Sequence, residues 1–118
     1  MSDAPTLYHN PRCSKSRATL ALLREQGVEP EIVEYLKAPP DAATLQGVIE
    51  QLGIRPRDLL RTGEAEYREL GLKDAELDDD ALIQTMVQHP KLIERPILIA
   101  NGQARIGRPP EQVLEILS

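Results

Sequence analysis

Apolar positions recur along the chain in short runs punctuated by prolines and glycines, and their spacing divides it into strand-like and helix-like pieces. Residues 6–8 form a short strand candidate that Asn10-Pro11 interrupts. Leu20, Ala21 and Leu23 then fall at helical spacing, which predicts a helix over about 13–26 that stops at Gly27, a residue at ease in the left-handed conformation common just past a helix end. Across 31–36, Ile32, Glu34 and Leu36 alternate with Val33 and Tyr35. Both faces are apolar enough to predict a strand with the sheet covered around it, paired beside the first. Strand, helix and strand within about 30 residues have the length of a right-handed crossover unit with parallel strands.

Pro39-Pro40 stops the chain and Asp41 supplies an N-cap, after which Leu45, Val48, Ile49 and Leu52 keep helical spacing up to Gly53. Further short helices are expected at about 56–60, 66–70 and 80–88, with no convincing strand among them. Residues 97–100 and 103–106 flank Asn101-Gly102, a two-residue loop suited to a tight antiparallel hairpin because both positions accept positive φ. Pro109 and Pro110 open a last helix in which Val113, Leu114 and Leu117 are expected to dock on the sheet. The resulting order is βαβ, a helical insertion at about 41–90, then ββα. This makes an α/β fold with a four-stranded mixed sheet, in one domain spanning 1–118. With Pro96 directly before the third strand, the order resembles the thioredoxin fold, whose reactive cysteine lies at the start of the first helix and whose proline at that place is usually cis.

Composition narrows the function. A chain of 118 residues is the size of one domain. Its formal net charge of -5 argues against nonspecific nucleic-acid binding, which needs Lys and Arg in excess, so any anion site must be local. The absence of Phe and Trp removes the usual base-stacking platforms. The start of the chain has no apolar signal core, and no apolar run approaches the roughly 18 residues of a membrane helix, so a soluble, cytoplasmic protein is expected. One cysteine closes no internal disulfide and makes no zinc site alone. Asp78, Asp79 and Asp80 are adjacent carboxylates that do not converge on one point, so they are read as a helix cap and no metal is expected. His89, before Pro90, is read as a structural residue at a helix end.

The chemistry gathers around Cys13. A thiol attacks as its thiolate, and its pKa falls at a helix N-terminus or beside cations. Here the free N–H groups of Ser14, Lys15 and Ser16 would hold an anion near the sulfur, while Arg12, Lys15 and Arg17 make the same turn locally positive. The competing reading is a buried, inert cysteine beside solvated surface cations.

The run His9-Asn10-Pro11-Arg12-Cys13-Ser14-Lys15-Ser16-Arg17 resembles the active-site segment of the glutaredoxin-dependent arsenate reductase family. The resemblance extends through Tyr35-Leu36 with Pro39-Pro40, Leu59-Leu60-Arg61, His89-Pro90, Arg95-Pro96-Ile97 and Gly107-Arg108-Pro109. It implies that Cys13 attacks arsenate while Arg61, Arg95 and Arg108 hold its oxygens, a task that suits the planar, permanently charged guanidinium. Each arginine also has a plain alternative, as a helix-end or surface residue beside a proline. His9 matches a family histidine that influences the cysteine, and a protonated imidazole there would favour thiolate; its alternative is a turn residue. Ser16 is a candidate hydrogen-bond partner of the thiolate or an ordinary helix-start residue.

The resemblance further implies no bound cofactor, with glutathione as co-substrate and a glutaredoxin as partner, because a single cysteine cannot resolve its own intermediate. Two other readings stand beside it. One is a non-enzymatic regulator of the Spx type that binds RNA polymerase, although Ser16 occupies the second position of the Cys-x-x-Cys pair that its redox switch uses. The other is a glutathione-linked thiol oxidoreductase, which needs Cys13 but not all three arginines.

Overall fold

Strand β1, Thr6–Tyr8, lies inside the sheet, with β2 (Glu31–Val33) parallel on one side and β3 (Ile97–Ala100) antiparallel on the other. Strand β4 (Gln103–Ile106) pairs antiparallel with β3 and completes the order β2-β1-β3-β4, the four-stranded mixed sheet expected from the sequence. The structure is a computed structural model and describes residues 5–73 and 76–117. The chain divides into two compact units, one formed by 1–38 with 95–118 and the other by 39–94.

In the first unit, helix α1 (Ser14–Glu25) buries Ser16, Thr19 and Leu23. It ends before Gly27, whose φ of 78° is the left-handed conformation that glycine adopts without a Cβ penalty. Leu7, Leu23, Leu98, Ala100, Val113 and Ile116 form the core here, with Leu20, Val28 and Leu117 packed against it. The hairpin turns at Asn101 and Gly102, both at positive φ, as the dipeptide predicts.

Two expectations need correction in this unit. β2 is three residues long rather than six, and it is an edge strand with Ile32 38% exposed. After Val33 the chain leaves the sheet in a turn, where Lys37 and Ala38 donate backbone N–H groups to the Glu34 carbonyl. Tyr35 is buried and Leu36 exposed, so the apolar alternation there serves this turn and not a covered strand. The last helix, Pro110–Ile116, is 3₁₀. Three residues per turn eclipse i with i+3, so Ile116 joins Val113 in the core in place of Leu114.

In the second unit, α2 (Ala42–Leu52) is capped by Asp41, whose carboxylate accepts the Thr44 N–H at 2.8 Å, and it ends at Gly53 with φ 71°. A 3₁₀ turn at Pro56–Leu59 and the short α3 (Ala65–Glu69) precede α4 (Asp79–Gln88). Asp78 caps α4 by accepting the Ala81 N–H at 2.8 Å, and Asp79 and Asp80 fill its first turn, where negative charge faces the positive end of the helix. His89 ends the helix, its N–H donated to the Thr85 carbonyl. The sequence pattern did not foresee an isolated antiparallel bridge between Leu60 and Ile93. It is flanked by Arg61 N–H to the Leu92 carbonyl at 2.8 Å and Glu94 N–H to the Leu59 carbonyl at 3.0 Å.

Beyond β4, Gly107 is buried and donates its N–H to the Pro96 carbonyl at 2.9 Å. A Cβ at this position would sit 2.5 Å from Thr19 Oγ1 and 2.9 Å from Pro96 Cγ, so the chain can pass α1 this closely only without a side chain. Thr19 is pinned from behind, its hydroxyl donating to the Lys15 carbonyl at 2.9 Å. Gly107→Ala is therefore expected to destabilise the protein by about 2 kcal/mol through overpacking, seen as a lower urea midpoint. Thr19→Ala, which removes both Thr19 atoms that crowd the added Cβ, should recover part of that loss in the double variant.

Candidate active site

The segment between β1 and α1 is held by its own side chains. His9 donates its backbone N–H to the Val33 carbonyl at 2.9 Å, tying the end of β1 to β2. Asn10 donates its N–H to Ser16 Oγ at 3.0 Å and accepts the Arg12 N–H on Oδ1 at 3.0 Å, and its carbonyl accepts the Cys13 N–H at 3.0 Å. Ser16 Oγ lies 2.6 Å from His9 Nδ1. With the Asn10 N–H on one lone pair, the hydroxyl proton of Ser16 is free to point at Nδ1, which fits a neutral imidazole carrying its proton on Nε2.

This arrangement bears on two expectations. His9 is buried, and burial pushes its pKa below the ordinary 6.5 against the opposing pull of Glu34, while Arg24 and Arg17 lower it further. This favours the neutral ring, and His9 is tied into the loop through its ring and its backbone N–H. The Ser16 hydroxyl is engaged by His9 and Asn10, and the Ser16 group that acts to lower the Cys13 pKa is its backbone N–H.

Cys13 occupies the N-cap position of α1, with extended φ and ψ of -93° and 124°, and its side chain makes no capping bond. It is partly exposed, unlike an inert core cysteine. Burial pushes the thiol up, but the Ser16 N–H, a hydrogen bond from Arg95, the Lys15 N–H and the charge of Arg95 together outweigh it, so the pKa lies below its ordinary value. Arg108 Nη2 approaches Sγ at 3.6 Å while its Nε donates to the Arg95 carbonyl at 2.8 Å. The two arginines are thus locked to each other as well as to the sulfur. Both precede cis prolines, Pro96 and Pro109. Ser14 and Lys15 are exposed on the first turn, and Arg17 returns to the loop, donating to the Pro11 carbonyl at 2.9 Å.

Arg61 belongs to the 39–94 unit, directly after the Leu60–Ile93 bridge. There its half-buried guanidinium is ion-paired with Glu94 and, through Nε at 3.4 Å, with Glu64. Among the described residues, no three His, Cys, Asp or Glu side chains gather to hold a metal ion.

Sequence reasoning gave Asn10, Thr19 and Gly107 no role of their own in the site. The signal for Gly107 was its place immediately before Arg108-Pro109. For Asn10 it was an Asx residue two positions before Arg12, the geometry of a side chain that folds back on its own backbone.

The ArsC family model matches residues 8–116, nearly the whole chain. The chain belongs to the ArsC family. It is 60% identical over 118 residues to the protein YfgD of Escherichia coli strain K12, covering 99% of each chain. It is 47% identical to an arsenate reductase of Neisseria meningitidis serogroup A, covering 94% of this chain and 96% of that one. The solved structure of an arsenate reductase from Vibrio cholerae superposes with a TM-score of 0.94 at 53% identity, covering 99% of this chain and 100% of that one. Within the ArsC family, the segment around Cys13 thus lies on a thioredoxin-like scaffold.

Two measurements test the electrostatics. Alkylation of Cys13 by iodoacetamide, followed against pH, should titrate below the ordinary thiol range, and Arg95→Ala should move that titration upward. Because the folded-state pKa of His9 is depressed, its contribution to stability is present above the ordinary 6.5 and is lost as the pH falls through the depressed folded value. Chemical denaturation of the native protein should show that acid loss, and His9→Gln should flatten it.

Proposed function

We propose that this ArsC-family chain is a thiol-dependent oxyanion reductase that converts arsenate to arsenite with glutathione and a glutaredoxin through an adduct on Cys13. The observation that carries the reading is the approach of two guanidiniums, Arg95 and Arg108, to one thiol whose pKa is lowered. A fork of fixed N–H donors beside a nucleophile suits a tetrahedral oxyanion, whose charge it neutralises as the sulfur attacks. Relatives named as arsenate reductases, 47% and 53% identical, support the choice of arsenate.

In this scheme the Cys13 thiolate forms a bond to As(V) and one arsenate oxygen leaves as water. Glutathione displaces a second oxygen, also as water. A glutaredoxin thiol then attacks the glutathione sulfur, and the electron pair of the broken S–As bond reduces arsenic to As(III) while a glutaredoxin–glutathione disulfide forms. Water hydrolyses the Cys13–As bond, releasing arsenite and the free thiol. The lone cysteine is the reason for external thiols, since no second thiol in the chain can supply the electrons by closing a disulfide. Ser14 and Lys15 line the anion's approach, His9 and Ser16 hold the loop, and Arg61 joins the oxyanion set by the family resemblance. No bound cofactor is required, and dependence on glutathione points to the cytoplasm.

The test is arsenate-dependent NADPH oxidation with glutathione, glutaredoxin and glutathione reductase supplied. Native protein should turn over and folded Cys13→Ser should not. Arg95→Ala should lower kcat/KM for arsenate about 100-fold, with Arg95→Lys only partly restoring it. Full activity in Arg95→Ala would remove Arg95 from the oxyanion site. A folded native protein without arsenate turnover would favour a regulator.

A further inference from the structure

A cavity of about 290 Å³ opens beside the Cys13 segment, and the oxyanion scheme above does not use it. One wall is the loop before the nucleophile, His9 to Arg12, and the other is the turn after β2, with Glu34, Leu36 and Lys37. Its volume is close to the smallest, about 300 Å³, of ordinary small-molecule sites. The walls are set by bonds already described: Asn10 fixes the loop through Ser16 and Arg12, and the Glu34 carbonyl closes the turn. Glu34 and Lys37 stand on that turn with their charges 3.6 Å apart, Lys37 largely in solvent and Glu34 half-buried. Arg12 is exposed on the opposite wall.

The sheet order gives this cavity a defined relation to the chemistry. β1 leads into Cys13 and lies between β2 and β3. Arg95 and Arg108 come from the β3–β4 side, whereas the cavity lies on the β2 side. An oxyanion gripped by the arginines therefore leaves the cavity side open for a second reactant. The cavity's ionic groups are two cations, Arg12 and Lys37, and one anion, Glu34, with apolar surface from Pro11 and from Leu36, which is 36% exposed. Glutathione carries the complementary set, two carboxylates and one ammonium, around a central thiol.

We infer that this cavity is the docking site of the thiol co-substrate, with Arg12 and Lys37 taking the glutathione carboxylates and Glu34 its ammonium. The inference rests on the proposed use of glutathione. It makes Glu34 and Lys37 positioning residues for the second half-reaction, with no part in holding the oxyanion. Docking involves no electron transfer; it holds the peptide beside the loop that leads into Cys13.

S-methylglutathione, which has the charges but no thiol, separates docking from chemistry. Calorimetry should detect its binding to the native protein and to Cys13→Ser alike. Lys37→Glu and Glu34→Lys should each weaken it about tenfold, and the double exchange should recover part of the loss, since it restores one cation and one anion on the same turn. In turnover, Lys37→Glu should raise KM for glutathione while leaving KM for arsenate unchanged. Absence of binding to the native protein at millimolar S-methylglutathione overturns the assignment, as does binding that both charge reversals leave intact. If S-methylglutathione binds as expected and the native protein fails to reduce arsenate, the site stands and the arsenate reading falls.

Discussion

Everything around the thiol depends on how closely Gly107 passes helix α1. The chain leaving β4 lies against Thr19 and Pro96 at a distance where even a Cβ has no room. Arg108 is the next residue, and a guanidinium that reaches Sγ at 3.6 Å while spending its Nε on the Arg95 carbonyl has little slack for a backbone displaced by an added methyl. Thr19 serves the same contact from the helix side. Its hydroxyl bonds the preceding turn, a bond that in an exposed helix is mildly unfavourable. A glycine without positive φ is thus retained for space, in contrast to Gly27 and Gly53, where backbone conformation is the reason.

The lowered thiol pKa is a balance in which burial is the largest opposing contribution. Donors from two places overcome it: the first turn of α1, and Arg95 two residues before β3. Only the first is local in sequence. Its backbone N–H groups are fixed by the helix itself and cost no side-chain entropy to orient. The arginine donors need the hairpin to bring them, and their mutual bond holds that orientation once formed. His9, buried and bonded to Ser16 and to the Val33 carbonyl, holds the loop in place.

The sheet has two unlike flanks at the nucleophile. The β3–β4 flank is rich in fixed guanidinium donors, while the β2 flank ends early and turns away, leaving a mixed-charge cavity. The shortness of β2 is therefore a structural requirement for that opening. Had pairing continued through Leu36, the segment carrying Glu34 and Lys37 would lie in the sheet rather than on a turn.

Short-range chemistry made several features legible in the sequence. Asp41 and Asp78 cap helices, Asn101-Gly102 turns a hairpin, Gly27 and Gly53 end helices, and Cys13 begins one, because each acts on backbone within a few residues of itself. The family resemblance pointed to Arg95 and Arg108 as partners of Cys13. Their bonds to each other and to the sulfur were decided by tertiary packing, since they join positions up to 95 residues apart. The same is true of where β2 stops, of Ile116 entering the core in place of Leu114, and of the bond between His9 and Ser16. Hydrophobic spacing records which residues prefer burial, and caps and turns record local backbone geometry. Which charged group faces which depends on distances that only the folded chain sets.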